Sequence, residues 1–229
     1  MLDHLVPGGV ELCEVYGDAG PEGVACLFPA EQAVVRGLSG ERQREFAGAR
    51  RCAHRALTRL DIVPEPLLPD VSGAPRWPRA AVGSLTHCPG YRAAVVAPAG
   101  EYAAVGIDAE PAAPLPAVVA ARFLADAERR SARALGAALG GSADRLAFCA
   151  KEASYKAFSP WLGRRWGVRD FAVRLAADGL FRGVAPEVRK GFEGRWEVRS
   201  GYLVAVVCLT AEGWSGPLSV RVSPGSGWQ

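Results

Sequence analysis

Two short motifs gather the residues that could do chemistry. The first is Asp108-Ala109-Glu110, which ends the apolar run Val105-Gly106-Ile107 and precedes Pro111. On a strand, side chains at i and i+2 leave by one face, roughly 6–7 Å apart. Two carboxylates so placed repel each other unless water or a cation lies between them. Hard oxygen donors of this kind suit Mg²⁺; a solvated strand end is the plainer reading. The second motif is Lys151-Glu152-Ala-Ser-Tyr-Lys156. Glu152 and Lys156 stand at i, i+4 in the favourable order, which on a surface contributes only about 0.3–0.5 kcal/mol. The rest of that segment is small and apolar, as in a helix packed inside the molecule, and there one acid and two ammonium groups make a site. A third carboxylate would complete a metal centre, with the lysines facing phosphate oxygens. Lysine is otherwise rare: of 27 basic residues only Lys151, Lys156 and Lys190 are lysines. A compact ammonium is chemically distinct from the guanidinium used elsewhere in the chain.

A third set could bind phosphate. Arg42, Arg44, Arg50, Arg51 and Arg55 share one predicted helix, and His87 lies on a predicted strand. Guanidinium forks match phosphate oxygens, although an arginine-rich helix face is ordinarily solvated and a single strand histidine ordinarily belongs to the core. The sequence holds no G-x-S-x-G elbow, G-x-x-x-x-G-K-[ST] loop, G-x-G-x-x-G fingerprint or H-E-x-x-H pair. Its three histidines argue against a histidine-rich transition-metal site.

The elements that must position these groups follow from periodicity and punctuation. Ser39 caps a helix to Leu60, with Phe46, Ala49, Ala53, Ala56, Leu57 and Leu60 at helical spacing. Residues 61–79 are proline-rich and predict an ordered loop. Val82–His87 and Tyr91–Ala97 predict a strand pair, and Val105–Glu110 a strand stopped by Pro111. Residues 112–145 predict interrupted helices. Leu146–Phe158 predicts the clearest helix, with Leu146, Cys149, Ala150, Ala153 and Ala157 in one stripe and Pro160 as its stop. Phe171–Leu175, Arg195–Arg199, Tyr202–Leu209 and Leu218–Val222 predict strands, and residues 1–30 a strand or two with loops.

With 229 residues, 49% hydrophobic and 22% charged, the chain can bury a substantial core. The longest apolar run, Tyr202–Leu209, falls far short of the roughly 20 residues of a membrane span. The N-terminal residues carry acids where a secretory signal carries bases. Six cysteines without C-x-x-C spacing suggest buried free thiols in a reducing compartment, so a cytoplasmic location is expected. A net charge of +3 excludes a dominant nucleic-acid footprint. Gly90–Ala97 and Gly201–Cys208 agree at five of eight positions. Two alanine-valine strands can agree by chance; a duplication would instead produce two similar lobes with a ligand between them.

Taken together, Gly83-Ser-Leu-Thr-His-Cys-Pro-Gly-Tyr91, Gly106-Ile-Asp-Ala-Glu-Pro111 and Phe148-Cys-Ala-Lys-Glu-Ala-Ser-Tyr-Lys-Ala157 stand in the order and spacing of the 4′-phosphopantetheinyl transferases. The chain most resembles their two-lobed, monomeric, enterobactin-synthetase-component-D type, over residues 36–209. Arg42-x-x-x-Phe46-x-x-x-Arg50-x-Cys-Ala and the Trp77-Pro78 loop fit as well. The resemblance implies an α+β fold of two lobes about a pseudo-twofold axis, each a small, mostly antiparallel sheet with packed helices, over residues 1–110 and 111–229. It implies transfer of the phosphopantetheine arm of coenzyme A to a serine of acyl or peptidyl carrier proteins, with release of adenosine 3′,5′-bisphosphate. Asp108, Glu110 and Glu152 would hold Mg²⁺ (Mn²⁺ as the alternative), helped by the Ala109 carbonyl. Glu152, or a metal-held water it orients, would take the serine proton. Lys156 would stabilise the leaving phosphate, with Lys151 beside it. Arg42, Arg50 and His87 would grip the 3′-phosphate with Thr86 adjacent, and Ser72, Gly73, Ala74 and Pro75 would form the adenine-side loop. Relatives often carry lysine where Ser72 stands, so a cationic contact there would fall to Arg76. Polyketide and nonribosomal peptide synthesis is the implied setting, with no nucleic-acid or membrane partner. A Mg²⁺-dependent CoA or nucleotide pyrophosphate hydrolase and a non-enzymatic CoA sensor are the alternatives.

Overall fold

The computed structural model describes residues 2–17, 22–162, 166–186 and 191–212. In chain order its elements are β1 (Glu11–Tyr16), α1 (Glu22–Ala25), α2 (Pro29–Val35), α3 (Gly40–Arg59), β2 (Ala81–Cys88), β3 (Tyr91–Pro98), β4 (Tyr102–Pro111), α4 (Ala117–Phe123), α5 (Asp126–Arg133), α6 (Ala143–Leu162), β5 (Ala172–Leu175), β6 (Leu180–Val184), β7 (Gly191–Arg199) and β8 (Tyr202–Thr210). All strand pairs are antiparallel, in two sheets of order β1-β3-β2 and β4-β8-β7-β6-β5. The α+β fold expected from the sequence is the one observed.

Four layers stack as helix, sheet, sheet, helix. Ala94 and Val96 of β3 pack on Cys52, Ala53, Ala56 and Leu57 of α3. The other face of β3, Tyr91, Ala93, Val95 and Ala97, meets Val105, Ile107 and Ala109 of β4 and Val204 and Val206 of β8. Beyond the second sheet, Leu203, Ala205 and Val207 of β8 pack against Leu146, Cys149, Ala150, Ala153 and Ala157 of α6. β3 and β8 are thus each buried on both faces, which is why the two segments that echo each other are continuous apolar runs rather than alternating ones. The fold differs from the implied lobe boundary at 110/111: β4 hydrogen-bonds in the five-stranded sheet.

The two sheets are joined at β2 and β4 by hydroxyls. Ser84 Oγ accepts the Ile107 N–H at 3.2 Å, and Thr86 Oγ1 accepts the Ala109 N–H at 3.1 Å. Gly106 makes the opposite face of β4 accessible to α6. A Cβ there would lie 2.7 Å from Ala157 N and 2.9 Å from Ala157 Cβ, and closer still to the Ala153 carbonyl oxygen.

Some local expectations are corrected. Pro160 does not stop α6, which continues to Leu162. Proline leaves the Lys156 carbonyl without its usual i+4 donor, and the Ser159 hydroxyl donates to it at 3.3 Å. Residues 1–30 hold helices as well as a strand, and β6 has no counterpart among the predicted strands. Cys26 is exposed, not buried. The strand expected at Leu218–Val222 lies outside the described residues. No described helix is long and apolar enough to cross a membrane.

Candidate active site

β4 and α6 bring the two motifs into contact. Lys156 Nζ lies 2.6 Å from Asp108 Oδ1 and donates to the Ile107 carbonyl at 3.2 Å. Thr86 donates its hydroxyl to the same Oδ1 at 3.1 Å. Oδ2 of Asp108 is buried without a hydrogen-bond partner among the described residues. Burial, then the charges of Asp108 and Glu110, push Glu152 up to about 7 against the opposing pull of Lys156. Glu110 is raised too, chiefly by burial, with Asp108 adding and Arg145 opposing. Burial disfavours the Lys156 ammonium, yet Asp108 and Glu152 outweigh it and hold the group above its ordinary range. A cationic lysine and acids whose charges raise Glu110 and Glu152 therefore share one partly buried cluster.

Sequence reasoning did not single out Arg145. Its Nη1 donates to Glu110 Oε2 at 2.7 Å, its Nε to the Ala113 carbonyl and its Nη2 to the Pro114 carbonyl, both at 2.8 Å. It thereby holds Glu110 and clamps the turn into α4. Its signal was available: Arg145 stands two helical turns before Glu152, on the same flank.

Carboxylate oxygens are the donor type that a hard divalent cation takes. Asp108 has one buried carboxylate oxygen without a partner among the described residues, and its charge adds to burial in raising the proton affinity of Glu110 and Glu152, the response expected of a site short of positive charge. Among the described residues no three acid, histidine or cysteine side chains stand together at metal-ligand spacing; Lys156 and Arg145 engage Asp108 and Glu110 instead. The Ala109 side of the motif faces the other sheet: its methyl is in the inter-sheet core and its N–H is on Thr86.

The phosphate set divides. Arg42 Nη1 donates to Glu45 Oε2 at 2.7 Å, and His87 Nδ1 lies 3.6 Å from that same oxygen. Burial, with Arg42, Lys156 and Arg92 nearby, lowers the His87 pKa despite Glu45. An arriving anion would favour its protonation. Arg50 stands apart. It is buried, donates through Nε to the Leu67 carbonyl at 3.0 Å and lies over the Phe46 ring at 4.0 Å from its centre. Burial brings its pKa down to about 10. Thr86 is buried, with its hydroxyl engaged by Asp108 and Ala109.

Ser72, Gly73, Ala74 and Pro75 form an exposed turn built by Asp70. Asp70 Oδ1 accepts from Ser72 N at 2.7 Å, Ser72 Oγ at 2.6 Å and Ala74 N at 3.1 Å. Gly73 supplies the required φ of +89°. The Ser72 side chain thus closes its own turn.

The expectation for Lys151 is also corrected. Its ammonium points off the other flank of α6 and donates to Glu128 at 2.8 and 3.0 Å and to the Arg169 carbonyl at 3.4 Å. It does not stand beside Lys156.

Two family models match the chain: a 4′-phosphopantetheinyl transferase N-terminal domain over residues 30–97 and the 4′-phosphopantetheinyl transferase superfamily over residues 104–207. The second match begins within β4, in agreement with the sheet to which β4 belongs. The chain is 39% identical over 223 residues to the 4′-phosphopantetheinyl transferase Svp of Streptomyces mobaraensis, covering 92% of this chain and 90% of that protein. It is 36% identical over 224 residues to Npt of Nocardia iowensis (90% and 99% covered). It is 38% identical over 213 residues to PptT of Mycobacterium tuberculosis (86% and 90% covered). The latter two carry the same transferase name.

Proposed function

Because the chain belongs to the 4′-phosphopantetheinyl transferase superfamily and is an enzyme, we propose that it moves the phosphopantetheine arm of coenzyme A onto a serine hydroxyl of carrier proteins at the junction of β4 and α6, acting as a cytoplasmic monomer. The observation that carries the placement is the contact of half-buried Lys156 with buried Asp108, whose Oδ2 has no hydrogen-bond partner among the described residues, beside the half-buried Glu152. The attacking serine oxygen displaces adenosine 3′,5′-bisphosphate from the β-phosphorus of the pyrophosphate, and the serine proton must leave.

Asp108 and Glu152 would hold Mg²⁺, with Glu110 engaged through water because Arg145 already occupies one of its oxygens. The ion would supply charge neutralisation on the pyrophosphate and fix its orientation. Glu152, or a water that it orients, would receive the serine proton. Lys156 would turn its ammonium from Asp108 to the departing phosphate. Arg42 and His87 would bind the 3′-phosphate from the three-stranded side. α4 would receive the carrier. Its Val118 is 75% exposed, whereas Leu124 is in the core and Phe123 rests on Phe148. An exposed apolar residue one turn past the Arg145 clamp sits where a carrier helix must approach.

The hydrolase alternative gains no support, since the matching families and relatives are transferases. Apo-carrier protein incubated with CoA and Mg²⁺ and read by intact mass tests the proposal. Asp108→Ala and Glu152→Ala should each lower the rate more than about tenfold, because losing one ligand interaction raises the barrier by over about 1.4 kcal/mol. CoA cleavage without carrier modification would refute the reaction, and an Asp108→Ala variant near the wild-type rate would refute the site.

A further inference from the structure

The buried ion pair behind the catalytic helix has no role in the chemistry above. Lys151 is 2% exposed, and its three ammonium donors are used by two Glu128 oxygens and the Arg169 carbonyl. No donor remains for a phosphate. Glu128 is equally committed: it also accepts the N–H of Ala125 at 2.7 Å and that of Val173 at 2.9 Å. The network closes on itself and ties α6 to the start of α5, to the edge strand β5 and to the turn at Val168–Asp170. Its anchor on α6 is the residue before Glu152.

We propose that Lys151 and Glu128 form a positioning pair that fixes the rotation of α6, so that Glu152 and Lys156 face Asp108; this rests on the reading of Glu152 above. A helix with its side chains is about 10–12 Å across, so a turn of about 10° about its axis moves a side-chain tip by about 1 Å. Misplacement of about 1 Å can cost about 100-fold in rate. Gly106 sets how near α6 comes to β4; the Lys151–Glu128 pair sets which flank it presents.

The test compares Lys151→Met, the double variant Glu128→Gln/Lys151→Met, and Glu152→Gln in carrier modification at saturating CoA. Rates are expressed per folded enzyme, counted by calorimetric CoA-binding stoichiometry. Lys151→Met strands the Glu128 charge in the interior and should lose more than about tenfold in kcat with KM for CoA within about twofold. The double variant removes both charges while the introduced amide keeps an acceptor for the Val173 N–H, and it should regain most of that loss. Lys151 in contact with phosphate predicts the reverse, a double variant as slow as the single one with a raised KM. That result overturns the proposal, as does a Lys151→Met enzyme with unchanged kcat per folded molecule. If Lys151→Met does not fold, the double variant decides alone against the wild type: a near-wild-type kcat and KM for CoA support the positioning role, and a slow enzyme with a raised KM overturns it. Full activity in Glu152→Gln would overturn the site reading itself, whereas an inactive Glu152→Gln beside a fully active Lys151→Met overturns only the positioning role.

Discussion

Replacing Gly106 by alanine should slow transfer about 100-fold while leaving a folded protein. The added Cβ would stand 2.7 Å from Ala157 N, where ordinary contact begins at 3.4 Å, and nearer still to the Ala153 carbonyl oxygen. Both obstacles are backbone, so no side-chain rotation relieves them, and α6 must withdraw by about 1 Å. Overpacking of this kind costs about 1–3 kcal/mol of stability. The 2.6 Å contact between Lys156 and Asp108 spans the same gap and would open with it. A displacement of about 1 Å at reacting groups costs about 100-fold, or about 2.7 kcal/mol of barrier. Initial rates of carrier modification, with circular dichroism to certify the fold, measure this. Adding Ala157→Gly should not rescue the variant, since it removes only the Cβ contact and leaves the Ala153 carbonyl in place. A Gly106→Ala enzyme within about threefold of wild type would show that the close approach of α6 to β4 does not position the site.

Three other outcomes follow from particular contacts. Glu31 is fully buried; burial pushes its pKa up, but hydrogen bonds from His54, Leu67 N and Phe28 N outweigh this and hold it below the ordinary value. A depressed folded pKa contributes stability above the ordinary carboxyl range that is lost as pH falls through the folded pKa. Glu31→Gln should therefore lower Tm at about pH 7 and flatten the loss of Tm below about pH 4.5; parallel Tm-versus-pH curves for the two proteins would contradict this. Arg42→Ala and His87→Ala should each shrink the kinetic preference for CoA over 3′-dephospho-CoA, whereas Arg50→Ala, which frees the Leu67 carbonyl and uncovers Phe46, should show chiefly as a lower Tm. Val118→Asp should raise KM for the carrier several-fold and leave calorimetric CoA affinity unchanged; a parallel fall in both would place carrier docking elsewhere.

What the sequence disclosed was local. The Ser39 cap, the β2–β3 hairpin, the Asp108 strand and the core of α6 could be read because each is written in consecutive residues with a clear period. Pro160 misled because its missing donor is replaced by a neighbouring hydroxyl, a compensation that periodicity does not encode. Arg50 was grouped with Arg42 by helix membership and by the family resemblance. Eight residues separate them, and the later turn of α3 faces the proline-rich loop, where Leu67 presents a carbonyl. Thr86 was grouped with His87 by adjacency, yet neighbours on a strand point to opposite faces, so the hydroxyl turns to Asp108 when the imidazole turns to Glu45. The pairing of Glu128 with Lys151 and Val173 had no local signal, because those partners are 23 and 45 residues away.

Lys151 is the instructive case, because helix geometry already separates it from the site. At about 100° per residue, the sheet-facing stripe Leu146, Ala150, Ala153 and Ala157 sets a centre line along α6. Glu152, Lys156 and Arg145 fall together on one side of it, within about 40° of one another. Lys151 falls on the other side, about 100° from Glu152 and about 140° from Lys156. Two lysines on opposite flanks cannot serve one phosphate from a helix whose stripe is pressed against a sheet. The flank shared by Arg145, Glu152 and Lys156 carries one acid between two cations and faces the two acids of β4. Two cations against three acids leave the cluster one positive charge short before any ligand arrives, which adds to burial in raising Glu110 and Glu152. The opposite flank carries one cation, and a buried acid from α5 closes it. Sorting charges by flank, rather than by distance along the chain, separates the groups available to substrate from the pair that holds the helix.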